Sequence, residues 1–425
     1  MASVEDLLAA LARTGVTDGA TLARLLGVSA PTLSRLVRRA EGRVLRMGRT
    51  RAARYAATRQ LEGLGAELPV FRVDERGEAK PHGVLHLLAR GSWHEHGADG
   101  ALYEGLPPWA ADMSPQGYLG RDFAARHGLA LPGRLLDWTD DHRLLALVRR
   151  GEDCVGDLIL GKESLDRHLA AKPQPVAVTD FPALARAAAR GELGASSAAG
   201  EQPKFLAFVE GRHCLVKFAG ADANDAAQRW RDLLSCEAAA LETLAAHGLP
   251  AARARVLDVE GFRFLEVERF DRVGARGRRG VLSLFAIDNE YFGVGGTWLT
   301  LAERLGRSGR CAPSDARTLR WLDVFGQLTA NTDRHLGNVS FFTGEGAWRL
   351  CPAYDTAPML FAPSQATLVD RPFEPRGPTA DTLDLWYEAA HAAEDFWTRV
   401  ASRPDVSDSM KALARRAREA LQQLR

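Results

Sequence analysis

Hydrophobic side chains recur at helical spacing from the start of the chain: Val4, Leu7, Leu8 and Leu11 share one face, and Gly15 ends the run. Residues 21–26 read as a second short helix. Gly27-Val28-Ser29 then breaks the pattern. Ser29 suits an N-cap, and Pro31 suits the first turn of a third helix that turns Leu33, Leu36 and Val37 inward. Two short extended runs follow within residues 44–56, with Gly48 as the turn between them. Helix, helix, turn, helix, hairpin is the order of a winged helix-turn-helix, expected over residues 1–60.

The register changes near residues 66–69, and mixed short elements run on to about residue 165. Residues 171–175 and the Ala/Gly-rich stretch 190–200 read as connecting segments. FLAFVE (205–210) and HCLVKF (213–218) read as strands on either side of a turn at Gly211. A long helix is expected over residues 226–247, then strands to about residue 271. Beyond residue 283 the pattern is mostly helical, interrupted by a Pro-rich stretch at 363–378.

Composition narrows the class. The 425 residues suffice for two or three domains, and 46% hydrophobic with 26% charged side chains argues against disorder. The net charge of +1 hides an asymmetry: residues 1–60 hold eleven arginines against four acidic side chains. Cys154, Cys214, Cys236, Cys311 and Cys351 stand singly, without CxxC spacing. That excludes a zinc knuckle or thioredoxin-like site and fits a reducing, cytoplasmic setting. MASVEDLLAALART lacks the basic-then-apolar pattern of a signal peptide, and no apolar run is long enough to span a membrane, so no membrane partner is expected.

The strongest chemical signal is Thr332-Asp333-Arg334-His335-Leu336-Gly337-Asn338, followed by a short extended run and Tyr354-Asp355. Phosphoryl transfer needs a carboxylate near the acceptor hydroxyl and oxygen ligands that hold magnesium against phosphates. Asp333 suits the first task, Asn338 and Asp355 the second. The bland alternative for D-x-x-x-x-N is a capping or turn arrangement. Upstream, residues 196–204 (SSAAGEQPK) combine small side chains that let backbone N–H groups approach an anion, although they match neither common phosphate-loop motif. A plain linker is the alternative. Lys217 sits in an apolar strand, and Glu237 lies on the next helix, where a carboxylate would anchor such a lysine. Each alone reads more often as surface. Residues 264–271 (FLEVERFD) form an alternating strand ending in charge, either a simple half-buried edge strand or a hinge offering backbone groups to an adenine. The order of loop, strand lysine, helix glutamate and catalytic loop favours the nucleotide reading.

These motifs, with GEDCVGD (151–157), LVKF (215–218), ERFDR (268–272) and NTDRHLGN (331–338), make residues 70–425 resemble the HipA family of serine/threonine kinase toxins. The resemblance implies a bilobal kinase-like body, which together with the N-terminal winged helix-turn-helix read above makes an α+β chain resembling a fused subgroup of the family. In it, residues 66–275 form a mixed α/β N-lobe and residues 276–425 a helical C-lobe. It implies ATP and Mg2+ between the lobes, with Asp333 as catalytic base and Asn338 and Asp355 as metal ligands. Nucleotide contacts would come from Ala199, Gly200, Glu201, Gln202, Pro203, Lys204, Lys217, Glu268, Arg269, Phe270, His335, Asn338, Tyr354 and Asp355. Ser197 matches the serine that the family autophosphorylates. Known family substrates are aminoacyl-tRNA synthetases, whose phosphorylation halts translation. Two departures stand out: family members usually pair with a separate DNA-binding antitoxin, and Pro203 replaces a polar residue.

On the third helix, Thr32, Ser34, Arg35, Arg38 and Arg39 are expected to face outward into a major groove, while Arg46, Arg49 and Arg51 reach phosphates or the minor groove. A solvated basic face on a protein-binding module is the alternative. One such unit reads one half-site, so a homodimer is expected on an operator. Two other functions compete with the kinase: a transcription regulator whose kinase-like body senses nucleotide, and a lipid or small-molecule kinase, because D-R-H-x-x-N loops also occur there.

Overall fold

The computed structural model describes residues 2–48, 52–97, 99–120, 123–189, 202–344, 346–364 and 367–424. Arg49, Arg51, Ser197, Ala199, Gly200 and Glu201 lie outside the described residues. Helix α1 (Val4–Thr14) begins where Ser3 and Asp6 cap each other reciprocally and ends at Gly15, whose φ of 67° suits glycine. Then follow β1 (Thr17–Asp18), α2 (Gly19–Leu26), α3 (Ala30–Arg39), β2 (Val44–Met47) and β3 (Arg54–Ala57), the strands in the order β1-β3-β2. Helix α2 starts before the apolar pattern does because Asp18 accepts from the Thr21 N–H at 2.8 Å and caps it. Ser29 caps α3. Leu7, Leu11, Leu22, Leu33 and Leu36 are the core of this unit, with Val37 only half-buried.

The unit is not a loose appendage. The Ala89 N–H donates to Ala57 O at 2.8 Å and the Arg59 N–H to Leu87 O at 3.0 Å, while Met47 and Ala56 pack on Leu88. Leu87 ends β5 (Ala79–Leu87) of a second sheet, formed with β4 (Glu67–Val73), β6 (Ser92–His96), β7 (Asp99–Tyr103) and β8 (Leu158–Leu160) in the order β7-β6-β5-β4-β8. Between β7 and β8 run α4 (Pro108–Met113), α5 (Gly117–Gly120), α6 (Phe123–Arg126) and α7 (Asp140–Arg150), and α8 (Lys162–Ala170) follows β8. Leu68, Val70, Leu85 and Leu87 pack against Trp109, Leu144 and Leu147. A register shift between Val70 and Phe71 breaks the two-residue alternation along β4, which is why the pattern there reads as mixed.

A third sheet has the order β11-β12-β10-β9, from β9 (Lys204–Val209), β10 (Arg212–Ala219), β11 (Ala254–Val259) and β12 (Phe262–Glu268). Gly211, at φ 79°, makes the turn between β9 and β10. Helices α9 (Phe181–Ala189) and α10 (Asp225–Ala246) cover opposite faces. Strand β12 is central, not the half-buried edge that its alternation allowed. Phe264 packs with Phe181 and Phe205 on one face; Leu265 and Val267 pack with Leu234 and Ala238 on the other. Glu266 interrupts the run and pairs with Arg255 at 2.9 Å.

The remainder comprises the hairpin β13 (Arg272–Val273) and β14 (Gly277–Arg278), a sheet of order β15-β16-β17 from β15 (Gly280–Ser283), β16 (Ser340–Thr343) and β17 (Arg349–Leu350), and a helical layer. Its helices are α11 (Leu284–Tyr291), α12 (Trp298–Ser308), α13 (Pro313–Leu328), α14 (Leu383–Ser402) and α15 (Asp408–Gln422). Trp321, Phe325, Trp386, Phe396 and Trp397 are buried among them. The architecture is α+β throughout. Among the described residues no helix is long and apolar enough to cross a membrane.

Candidate active site

Lys217 is on β10, buried against the sheet, with its ammonium reaching toward α10. Its Nζ donates to both carboxylate oxygens of Glu237 at 2.7 Å and also to Asp355 Oδ1. A buried cation needs such partners, because desolvation otherwise favours the neutral amine. Here burial pushes the Lys217 pKa down, but Asp355 and Glu237 outweigh it and raise the value above normal. Burial likewise pushes Asp355 up; Lys217 and then Lys204 reverse this and hold its carboxyl at about 2. For Glu237 burial wins, and its pKa is raised despite Lys217.

Asp333 lies in the loop after α13. That loop begins with Ala330 at φ 57°, a left-handed conformation that costs a non-glycine residue energy. Asn331 is buried, and its Oδ1 accepts from the Asp333 N–H at 2.9 Å. The Arg334 guanidinium anchors the loop beneath, donating to Asp323 of α13 at 3.1 Å and to the Asn331 carbonyl. Asn338 Nδ2 donates to Asp333 O at 2.8 Å and to Oδ2 at 3.2 Å, which leaves the amide oxygen of Asn338 for another ligand. His335 Nε2 lies 3.8 Å from Asp333 Oδ1, and both side chains are exposed. Asp355 has a left-handed φ of 51°. Tyr354 ties it to the loop, its hydroxyl donating to Gly337 O at 2.9 Å and lying 2.8 Å from Ser340 Oγ.

Lys217, Glu237, Asp333, His335, Asn338, Tyr354 and Asp355 line one cleft of about 1120 Å3, together with Gln202, Lys204 and Arg269. The volume suits a nucleotide and more. Gln202 is fixed by donation to Phe218 O at 2.6 Å. Pro203, Glu268 and Phe270 are not among the lining residues. The Pro203 carbonyl accepts from the Phe218 N–H; Glu268 faces Arg212 at 3.6 Å; the Phe270 ring packs between Phe342 and Tyr354. Sequence reasoning missed part of the cleft wall, where α5 and α6 bring Tyr118, Arg126 and His127 to the lining with Arg150 of α7. Short helices without a motif carry no signal that would have placed them there.

GEDCVGD and ERFDR meet beside the cleft. Arg269 donates to Asp271 at 3.1 and 3.0 Å and to Asp153 at 2.9 Å; Arg272 reaches Asp271 at 2.5 Å, Asp153 at 3.1 Å and the Cys154 carbonyl at 2.6 Å. The Gly156 N–H completes the set at 3.2 Å from Asp271. Burial alone would raise Asp271, but Arg269 and Arg272 hold its carboxyl far below the usual range. In the N-terminal unit, Ser34, Arg35, Arg38 and Arg39 are exposed on the outer face of α3 and Arg46 on β2. Thr32 is half-buried and accepts from Arg35 at 3.1 Å.

Residues 64–169 match the family model of the YjjJ-like toxin middle domain, and residues 196–424 that of the HipA-like C-terminal domain. Over 442 aligned residues the chain is 34% identical to Toxin YjjJ of Escherichia coli (strain K12), covering 100% of this chain and 98% of that protein. Its fold is similar to a chain of the Shewanella oneidensis MR-1 toxin–antitoxin complex of HipA, HipB and operator DNA. The TM-score is 0.54 at 16% identity, covering 84% of this chain and 96% of that one. The Helicobacter pylori proinflammatory kinase CtkA gives 0.39 at 12% identity over 53% of this chain and 89% of that one, too distant to carry weight.

Proposed function

Because this chain belongs to the HipA/YjjJ-type toxin family, we propose that it is an ATP-dependent serine/threonine protein kinase that reads DNA through residues 1–60. One observation carries the reading: Asp333, Asn338, Asp355 and the Lys217–Glu237 pair line a single cleft large enough for a nucleotide. Asp333 takes the proton of an acceptor hydroxyl as that oxygen bonds the γ-phosphorus and ADP leaves. Asn331 and Asn338 hold Asp333 in place through hydrogen bonds to its backbone and carboxylate. Lys217 and Lys204 supply positive charge for the phosphates.

The donor set fits magnesium, since hard oxygen ligands are what that ion takes. Asn338 offers its amide oxygen and Asp355 an ionised carboxylate. Bound magnesium would neutralise charge on the phosphates. Ser197 is the proposed autophosphorylation site, and an aminoacyl-tRNA synthetase the proposed protein substrate, both carried by the family resemblance. Phosphoproteomics on cells expressing the wild type and Asp333→Ala tests both. Phosphosites present only with the wild type are expected, and identical phosphoproteomes would refute the kinase.

The DNA-reading part of the proposal has its own support. The α1–α3 and β1–β3 order is that of a winged helix-turn-helix, with arginines exposed on α3 and β2. The related HipA stands in a complex with HipB and operator DNA. Here the proposed DNA-reading unit is part of the same chain.

A further inference from the structure

A second cavity, of about 300 Å3, shares Glu152, Asp153, Leu206 and Arg269 with the catalytic cleft but opens between α8, β9, β10 and the β13–β14 hairpin. Its lining is strongly cationic: Lys172, Arg269, Arg272, Arg276 and Arg278, against Glu152 and Asp153. Asp153 is already held by Arg269 and Arg272. Burial raises the Glu152 carboxyl pKa, and its Oε2 is buried without a hydrogen-bond partner among the described residues.

Arg278 is likewise short of partners. It is 2% exposed, and its Nη2 donates to the Glu152 carbonyl and lies 3.3 Å from His168 Nδ1. Its Nε and Nη1, and Nε2 of His168, are buried without a hydrogen-bond partner among the described residues. Burial, and then the neighbouring Arg272, press the Arg278 pKa down to about 9. A buried guanidinium with unmatched donors in a cationic cavity is unfavourable unless an anion joins it.

We propose that this cavity binds a small phosphate-bearing ligand, whose oxygens accept from Arg278 while Lys172 and Arg276 close over it from the exposed rim. A dianion with several acceptor oxygens matches this surplus of cations; a carboxylate or chloride, with one charge, does not. The volume admits a phosphate group with a small organic body. The inference stands apart from the kinase reading, because none of the residues that would bind ATP in the cleft is needed for it except the shared Arg269 wall.

Isothermal titration of the full chain with inorganic phosphate, and separately with glucose 6-phosphate, tests it. Saturable binding of either ligand is expected, and the tighter one identifies free phosphate or an organic ester as the source. Lys172→Ala combined with Arg276→Ala removes only exposed side chains and is expected to weaken binding at least about tenfold. Arg278→Met should abolish it, and Lys217→Met, which strips the catalytic cleft of its buried cation, should leave it unchanged. Absence of saturable binding, equal affinity in the Lys172/Arg276 variant, or loss in Lys217→Met would overturn the assignment.

Discussion

Lys217 meets three carboxylate oxygens, two from Glu237 and one from Asp355, so its position depends on charge as well as shape. Glu237→Gln keeps the shape and removes the charge. It is expected to lower kcat/KM by about a hundredfold through misplacement of the ammonium, read from initial phosphorylation rates. An unchanged kcat/KM would mean that Lys217 needs no such anchor. Titration behaviour divides in two. Asp355, held at about 2, stabilises the fold fully above its ordinary value of 3.8, and that contribution is lost as pH falls toward 2. His82 and His94 lie on β5 and β6 and are kept neutral mainly by burial, then by nearby cationic groups, at about 3 and about 4. Their unfolded forms take up protons first, so stability is lost as pH falls from 6.5 toward 4. A melting-temperature series over that range should fall for the wild type and flatten for His94→Gln. Equal slopes would remove His94 from the account. Which side chains the fold brings together was legible where spacing linked them, as from Asp333 to Asn338. Tyr354's bonds to Gly337 and Ser340 were not, because they join positions that only the fold brings together.

At the scale of elements, the buried Arg269–Asp271–Arg272 group joins β12 and β13 to the segment following α7. Asp271→Ala would leave the half-buried Arg269 and the buried Arg272 with Asp153 as their shared carboxylate, which is expected to cost about 3–5 kcal/mol in urea unfolding. A change below about 1 kcal/mol would contradict that. Sequence reading located the β9–β10 hairpin and α10 to within a residue or two, since strong periodicity and the turn at Gly211 mark them. It left β12 open between an edge strand and a hinge, because a central strand packed on both faces shows the same alternation as an edge when a charged residue such as Glu266 is buried in it. The sheet of β4 to β8 was illegible for two reasons: the irregularity at Val70 breaks its pattern, and β8 pairs with β4 only after a long helical insertion.

Across the whole molecule, charge and connection matter more than local pattern. The basic front end is hydrogen-bonded through its backbone to β5 and the residues just after it, so it packs on that sheet. Arg38→Ala with Arg39→Ala should weaken operator binding and reduce the slope of log affinity against log salt by about one for each phosphate no longer neutralised. Binding measured at several salt concentrations checks this, and an unaltered slope would favour a protein-binding module. The central claim is phosphoryl transfer by Asp333 beside Asn338 and Asp355. The most direct measurement is a purified-protein assay with γ-labelled ATP and magnesium, followed by phosphoamino-acid analysis. Label on phosphoserine or phosphothreonine with the wild type, and none with folded Asp333→Ala, is the predicted result; equal labelling of the two, or none with either, would contradict the account.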